Sequence, residues 1–459
     1  MKVNVLARDE TEFTRERSQD ITKVYRNPDP KQHNFQQARE YTRALNATKL
    51  DNLFAKPFLY ALDGHADGVY CMARVPTALP YVVSGDGEGE VKLWHLGHRK
   101  QLWTAKAHTG RVRGIAVDPF GELAFTCAAD KTIKMWDLNA TDPSMSNYES
   151  NGTGENTLHV AQPINVFLGR NNFNGLDHHK AKTNFATCGV QVDLWDHNRA
   201  DPIHSFQWGA DSVMSVKFNP IDTDVLLSSA SDRNMVLYDT RTKTPIRKVV
   251  MQHLTNAIAW NPMESFNFVA ANEDTNLYTF DMRNLEKAVT VHKDHVSAVL
   301  DVDFSPTGKE FVSGSYDRTI RLWAADGVHS RDCYHTKRMQ RIFCVQYSQD
   351  NRYILSGSDD TNIRMWKARS TERLGTLLPR QMAADNYKEK LKERYSNAPG
   401  VRSIKNQKIL PKSIKKAQHI RKIQDNSKKR KIENIIRHTG KAPEEAKPTK
   451  VAKIVKVVK

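Results

Sequence analysis

The middle of the chain is built from short apolar runs broken by small polar turns, and the same run returns at a fixed interval. Ala128-Ala129-Asp130-Lys131-Thr132-Ile133-Lys134-Met135-Trp136-Asp137 aligns with Gly314-Ser315-Tyr316-Asp317-Arg318-Thr319-Ile320-Arg321-Leu322-Trp323 and with Gly357-Ser358-Asp359-Asp360-Thr361-Asn362-Ile363-Arg364-Met365-Trp366. Each opens on small residues and an Asp, a turn signal, and continues into β-branched, long and aromatic residues, a strand signal. Seven aromatic residues close such segments: Trp94, Trp136, Trp195, Tyr238, Phe280, Trp323 and Trp366, at spacings of 42, 59, 43, 42, 43 and 43. A period this regular predicts one small sheet per repeat, each stacked on its neighbours.

A repeat of roughly 40–45 residues with four strands resembles the WD-type pattern. The expected fold class is all-β: a seven-bladed WD-type β-propeller over 57–369. The one long interval holds 141–156, a Ser/Gly/Asn-rich stretch read as a surface loop lengthening the connection between blades two and three. Because open sheet edges invite aggregation, the ring must close. Residues 57–62 have the composition of an outer strand and are expected to complete the blade ending at Trp366.

Six residues before the closing aromatic, five blades carry an Asp: Asp130, Asp232, Asp274, Asp317 and Asp360. A carboxylate in that turn can hold backbone N–H groups. The WD-type resemblance adds a His from the blade's entry loop, for which His65, His108 and His295 are the candidates. In blade six it links His295, Ser313 or Ser315, Asp317 and Trp323. Blades one and three have Glu88 and Gly189 at the Asp position, so their turns are expected to be less firmly pinned.

The flanks follow another rhythm. Residues 1–56 are read as an extended arm with a short helix over 36–54, with Ala38, Tyr41, Leu45, Leu50, Leu53 and Phe54 fitting one apolar face only approximately. Past the propeller, 382–395 and 411–438 contain no Gly and are rich in Lys, Glu, Ile and Arg, so 370–459 is read as a basic helical extension. Ile414, Ala417, Ile420, Ile423, Ile432, Ile435 and Ile436 form an Ile-rich stripe. It can pack on the propeller or on a partner while its basic side meets phosphates. The Lys-rich stretch 440–459, alternating with Val and Ile, matches no pattern.

Charge sharpens this division. The chain has 69 Lys/Arg and 52 Asp/Glu; 370–459 holds 25 and 8 of them, a net +17, leaving 44 of each sign elsewhere. All the excess charge therefore sits in the tail. Such a block repels itself and suits a polyanionic partner, nucleic acid being the commonest, with a solubilising tail as the plainer alternative. Ser427-Lys428-Lys429-Arg430-Lys431 is also a nuclear-import-like cluster.

Other chemistry is sparse. The five Cys are scattered without a CxxC pair, as expected of buried thiols in a reducing compartment. No run approaches the ~20 apolar residues of a membrane span, and the first residues lack a signal-peptide core, so a soluble intracellular protein is expected. Gly85-Asp86-Gly87-Glu88-Gly89-Glu90 reads as a tight turn, since three carboxylates would repel phosphate. His178-His179 reads as a loop pair without metal-ligand spacing. No hydrolase elbow or Walker sequence occurs, and Asp residues recurring once per blade speak of architecture, so no catalysis, cofactor or metal is expected.

The arm Arg39-Glu40-Tyr41-Thr42-Arg43-Ala44-Leu45-Asn46-Ala47-Thr48-Lys49-Leu50, then Phe54-Ala55-Lys56-Pro57-Phe58 and Leu62-Asp63-Gly64-His65, resembles the Sof-type WD-repeat proteins of eukaryotic ribosome assembly. Leu410-Pro411-Lys412-Ser413-Ile414-Lys415-Lys416-Ala417 resembles the core of that family's basic C-terminal domain. The resemblance covers almost the whole chain. It implies a non-catalytic scaffold of the nucleolar small-subunit processome, which contains the U3 small nucleolar RNP and acts on pre-18S ribosomal RNA. Such a protein would meet processome proteins through its propeller and pre-ribosomal RNA through its tail, with no membrane or small-molecule partner. Phosphate contact is assigned to Lys412, Lys415, Lys416, Arg421, Lys422, Lys428, Lys429, Arg430 and Lys431. The competing reading is a substrate receptor of a cullin-type ubiquitin ligase. Such receptors often carry an aromatic-Asp-x-Arg ending, and Tyr238-Asp239-Thr240-Arg241 and Phe280-Asp281-Met282-Arg283 both fit, placing Arg241 and Arg283 as adaptor contacts. Each Arg can equally pack against the next blade.

Overall fold

A computed structural model of the chain describes residues 35–138, 159–160, 162–207, 211–440 and 453–458. The period-two runs form strands because alternate side chains must reach a buried layer on a two-sided sheet. They make seven antiparallel sheets of at least four strands. Blade one runs Val69–Arg74, Tyr81–Asp86, Glu90–His95 and Lys100–Lys106; blade six, for example, runs Val299–Phe304, Glu310–Ser315, Ile320–Ala324 and Asp332–Tyr334. The apolar core lies between neighbouring blades: Val83, Trp103, Val112 and Trp136 join blades one and two, and Val312, Tyr334, Ile342 and Trp366 join six and seven.

The ring closes as expected. Phe58–Leu62 pairs antiparallel with Ile363–Lys367 as the outer strand of blade seven. Leu62 is buried with Val69, Trp94, Leu355 and Ile363, so the closing strand also seals the core between blades seven and one.

The long interval differs from expectation. The outer strand of blade two is Asn165–Leu168, paired with Thr132–Asp137. The extra residues thus lie within blade two, before its last strand, because each closing aromatic ends the third strand and not the blade. The stretch 141–156 itself is outside the described residues. His159–Val160 adds in parallel to the outer edge of blade one.

Two contact units divide the described chain. One is the propeller with residues 409–440 and 453–458; the other holds 35–57 and 369–408. In the second, helices α1 (Gln36–Phe54), α2 (Pro379–Arg394) and α3 (Pro399–Lys405) share a small core of Ala44, Leu391 and Val401 beneath Tyr41, Leu45, Tyr387 and Tyr395. Buried Glu40 accepts from Arg394 Nη1 and Tyr395 Oη, both at 2.9 Å. The buried face of α1 is therefore set by Glu40, Ala44, Ala47 and Thr48, while Leu53 and Phe54 of the expected stripe stay exposed. Small residues permit the close helix approach that large ones would block.

Four of the five Cys are buried and Cys333 is half-buried, all as free thiols. Burial pushes the Cys188 thiol up to about 12, which keeps it protonated and unreactive.

Candidate nucleic-acid interface

The tail docks onto the blade turns. In blade six, Trp323 Nε1 donates to Ser313 Oγ at 2.8 Å, and Ser313 Oγ lies 2.7 Å from His295 Nε2. His295 Nδ1 is 3.0 Å from Asp317. An ionised carboxylate only accepts, so Nδ1 carries the proton and Nε2 accepts from the serine. Ser313, not Ser315, is thus the link; Ser315 Oγ donates to the Ala298 carbonyl at 2.8 Å. His108, Asp130, Thr126 and Trp136 repeat the chain in blade two.

Burial drives the His108 and His295 pKa values down and keeps both imidazoles neutral. Burial alone would raise the Asp317 carboxyl, but His295 and Thr319 bring it well below the ordinary range. The residue after each turn Asp is left-handed: Lys131, Arg233, Thr275, Arg318 and Thr361 have φ of 65° to 76°. That conformation is unfavourable for L residues, and the Asp carboxylate helps hold it by accepting the N–H two residues on, as Asp130 does from Thr132 at 3.1 Å and Asp317 from Thr319 at 3.0 Å.

Blade one differs from the expected weaker turn. It is pinned after all, by Asp86 instead of a residue at position 88: His65 Nδ1 donates to Asp86 at 3.2 Å, and Asp86 accepts from the N–H groups of Glu88 and Glu90. The carboxylate has moved two residues upstream, onto the end of the strand, and Gly89 takes the left-handed position with φ 89°. The expected tight turn stands. In blade seven Arg338 stands at the position that the entry His holds in blades one, two and six; Arg364 donates to Asp360 Oδ1 at 2.9 Å, and Trp366 Nε1 to Ser356 at 2.9 Å. Blade four pairs Asp232 with Asn234 and Lys248.

Of the two histidines expected in a loop, His178 ends the strand Gly175–His178, while His179 lies in the turn that follows; both are buried. His178 Nδ1 donates to the His179 carbonyl at 2.6 Å, and His178 Nε2 lies 2.8 Å from His197 Nε2. His179 Nδ1 accepts from the backbone of Ala181 and Lys182.

Blade five lacks the entry His, and the tail supplies what is missing. Asp274 accepts from Tyr278 Oη at 2.6 Å, from Asn276 Nδ2 at 3.0 Å and from Lys453 Nζ at 2.6 Å. Burial pushes its carboxyl up, yet Lys453 and Tyr278 hold it below the ordinary value. Directly after Lys453, Ile454–Val458 adds as a fifth strand to the outer edge of blade four, against Thr244–Met251. The unplaced Val/Ile/Lys alternation is therefore the signature of an edge strand, with Ile454 and Val457 turned to the core between blades four and five.

Helix α4 (Lys412–Thr439) starts after Pro411 and ends at Gly440, whose φ of 63° allows its N–H to reach the Ile436 carbonyl. It docks over the turns of blades five and six. Ile414 is buried, and Gln418 Nε2 donates to the Asp294 carbonyl at 2.8 Å. Arg421 donates to the carbonyls of His295 at 2.8 Å and Asp274 at 3.2 Å, to Asn276 Oδ1 at 3.3 Å, and to Thr275 Oγ1. Arg421 was assigned to phosphate; its guanidinium is instead committed to the propeller. Spacing alone could not separate it from Lys422, since only the docked face distinguishes them.

The other eight assigned cations, Lys412, Lys415, Lys416, Lys422, Lys428, Lys429, Arg430 and Lys431, are all exposed. Every residue from Lys422 to Lys431 is exposed, a stretch with five cations and one Asp. At 3.6 residues per turn, Lys412, Lys415, Lys416 and Arg430 lie on the side turned away from Ile414 and Arg421. The expected Ile stripe is split: Ile414 docks, whereas Ile420 and Ile423 are each 56 % exposed.

The two aromatic-Asp-x-Arg endings sit at the opposite ends of their strands from the Asp turns, hence on the other face of the ring. Arg283 forks onto Asp281, with Nη2 2.8 Å from Oδ2, and lies 4.1 Å over the Phe266 ring. Arg241 approaches Asp224 and Asp239 at 3.7 and 3.6 Å. Their side chains are 63 % and 71 % exposed. Arg247 of blade four donates to the Arg283 carbonyl at 2.5 Å, joining the adjacent turns.

Comparison with known proteins agrees with this architecture. The WD domain, G-beta repeat matches 56–95, 99–137, 286–324 and 331–367, and the Sof1-like domain matches 368–454. The crystal structure of the WD40 β-propeller domain of Doa1 superposes with a TM-score of 0.55 at 18 % identity, over 68 % of this chain and 96 % of that one, which bears on the fold alone. The human DDB1- and CUL4-associated factor 13 is 49 % identical over the full length of both chains. Protein SOF1 of Saccharomyces cerevisiae is 44 % identical over 95 % of this chain and 91 % of its own. With a WD-repeat ring, a Sof1-like region behind it and relatives that match end to end, this chain belongs to the Sof1-like family of WD-repeat proteins.

Proposed function

We propose that the protein is a non-catalytic scaffold of ribosome assembly, nuclear and nucleolar, in which the propeller docks proteins of the small-subunit processome and α4 grips pre-ribosomal RNA. The exposed stretch from Lys422 to Lys431 carries the reading: it has five cations and one carboxylate and takes no part in holding the helix to the ring. Lysine and arginine in this arrangement neutralise phosphates and release counterions without reading bases. The RNA would be selected by its shape and by the proteins around it. Kinship with the yeast Protein SOF1 supports the assembly role.

Salt tests it. For a single-stranded RNA, log affinity should fall against log salt with a slope of about −0.7 per phosphate neutralised. Replacing Lys428, Lys429, Arg430 and Lys431 by Gln in the full chain should flatten that slope by about 3. An unchanged slope defeats the proposal.

A second reading, a substrate receptor for a cullin-type ligase, draws on Arg241 and Arg283. They stand exposed at equivalent turns of adjacent blades, and the vertebrate relatives carry DDB1 and CUL4 in their names. Because these arginines and α4 occupy opposite faces, one molecule can hold both roles.

A further inference from the structure

On the face of the ring that carries α4, but at blades seven, one and two, the innermost strands bring together two arginines and two aromatic rings that the RNA reading does not use. Tyr70 of blade one is stacked on Phe343 of blade seven, with ring centroids 4.3 Å apart at 23°. The Arg111 guanidinium lies 4.1 Å over the same Tyr70 ring. Groups that close cannot share one face, so Tyr70 is covered on both sides. Arg113 follows two residues later, at the irregularity between Val112 and Gly114 where the innermost strand of blade two begins.

The two guanidiniums are not matched by carboxylates. Among the described residues neither forms an ion pair, and the Nε of each is buried without an acceptor. Partial burial and the neighbouring Arg111 both lower the pKa of Arg113, as like charges held close together do. Two adjacent acids, Asp67 and Asp359, flank the spot across Gly68, where an added Cβ would lie 3.2 Å from the Asp359 backbone. Asp67 is turned to the Gly68 N–H at 2.7 Å.

We propose that Arg111 and Arg113 form a binding site for an acidic side chain, glutamate or aspartate, on a peptide segment of a partner protein. A carboxylate matches the forked N–H geometry of guanidinium and relieves the repulsion between the pair. Both faces of Tyr70 are occupied, so no base can stack on that ring as single-stranded RNA binding requires. Asp67 and Asp359 would repel a run of phosphates but can accept N–H groups of a peptide lying across them. The site deepens the reading of the propeller as a docking body and is independent of RNA binding by the tail.

The test uses the full chain with Lys428, Lys429, Arg430 and Lys431 changed to Gln, which weakens non-specific capture by the tail, and reads every effect against that parent, so that failure here stays separate from failure of the RNA proposal. Fluorescein-labelled acetyl-(Gly-Ser-Glu)4-amide is titrated by anisotropy beside its Gln counterpart and a twelve-nucleotide oligouridylate. The Glu peptide should bind at least tenfold more tightly than the Gln peptide. Arg111→Gln and Arg113→Gln should each weaken it at least tenfold. Arg113→Lys keeps the charge and the packed stem, guarding against misfolding, and should weaken it about threefold. Equal affinity of the two peptides, or full affinity in both Gln variants, overturns the site. Oligouridylate binding that falls with the peptide's in those variants overturns it in favour of RNA.

Discussion

Ser313 shows how much a single hydroxyl does in this fold. It accepts the indole N–H of Trp323 and donates to His295, which in turn donates to Asp317. Ser313→Ala leaves a buried donor and a buried acceptor unpaired, at about 1–3 kcal/mol each. Loss of about 2–4 kcal/mol in urea-unfolding free energy is expected, and loss below half a kilocalorie would mean that the chain of bonds is ornamental. At this scale the sequence was legible where a residue acts through its neighbours along the chain. His65, His108 and His295 all occupy the positions read for them. It was less legible where a carboxylate could shift by two residues, as Asp86 does, or where a histidine could turn inward, as His178 does, because both outcomes depend on which strand lies opposite.

Among elements, α4 and the last strand depend on contacts made hundreds of residues away in the chain. Arg421 spends its donors on blades five and six, while Lys422 beside it is free in solvent. Arg421→Ala should lower amide-exchange protection across residues 414–424 at least tenfold and leave blade two unchanged; Lys422→Ala should change neither region. Equal effects of the two variants would contradict the docked geometry. The strand Ile454–Val458 exposes a related principle. A free outer edge on blade four would be open to pairing with another chain, and the tail covers it. Its alternation was visible in sequence, but the edge it fits was not, since any of seven blades offers one.

The whole molecule joins a ring built on neutral buried histidines to a cationic extension. His108, His178, His179, His292 and His295 all have pKa values driven below 6.5 by burial. A histidine whose folded pKa is depressed is protonated more readily in the unfolded chain, so its contribution to stability shrinks as pH falls below 6.5. Asp301 acts oppositely: burial raises it to about 7, so the native state holds a proton between its ordinary 3.8 and that value. With His95, His197 and His335 lowered in the same way, the histidines outnumber the two aspartates that burial raises, Asp301 and Asp118, and the urea midpoint should fall between pH 8 and pH 5.5. A midpoint that is level or higher at pH 5.5 would show that the histidines are not buried neutral. Asp301→Asn should steepen the fall by removing one opposing group.

What the sequence by itself determined was the repeat, its closure and the location of the excess charge, because period, strand alternation and net charge are properties of order along the chain. Only the tertiary structure decided which cation binds the propeller and which faces solvent, where the last strand adds, and that Arg111 and Arg113 stand together beside rings drawn from two other blades. Those are relations across space, set when curvature of the ring brings distant segments within a few ångströms, and no local pattern encodes them.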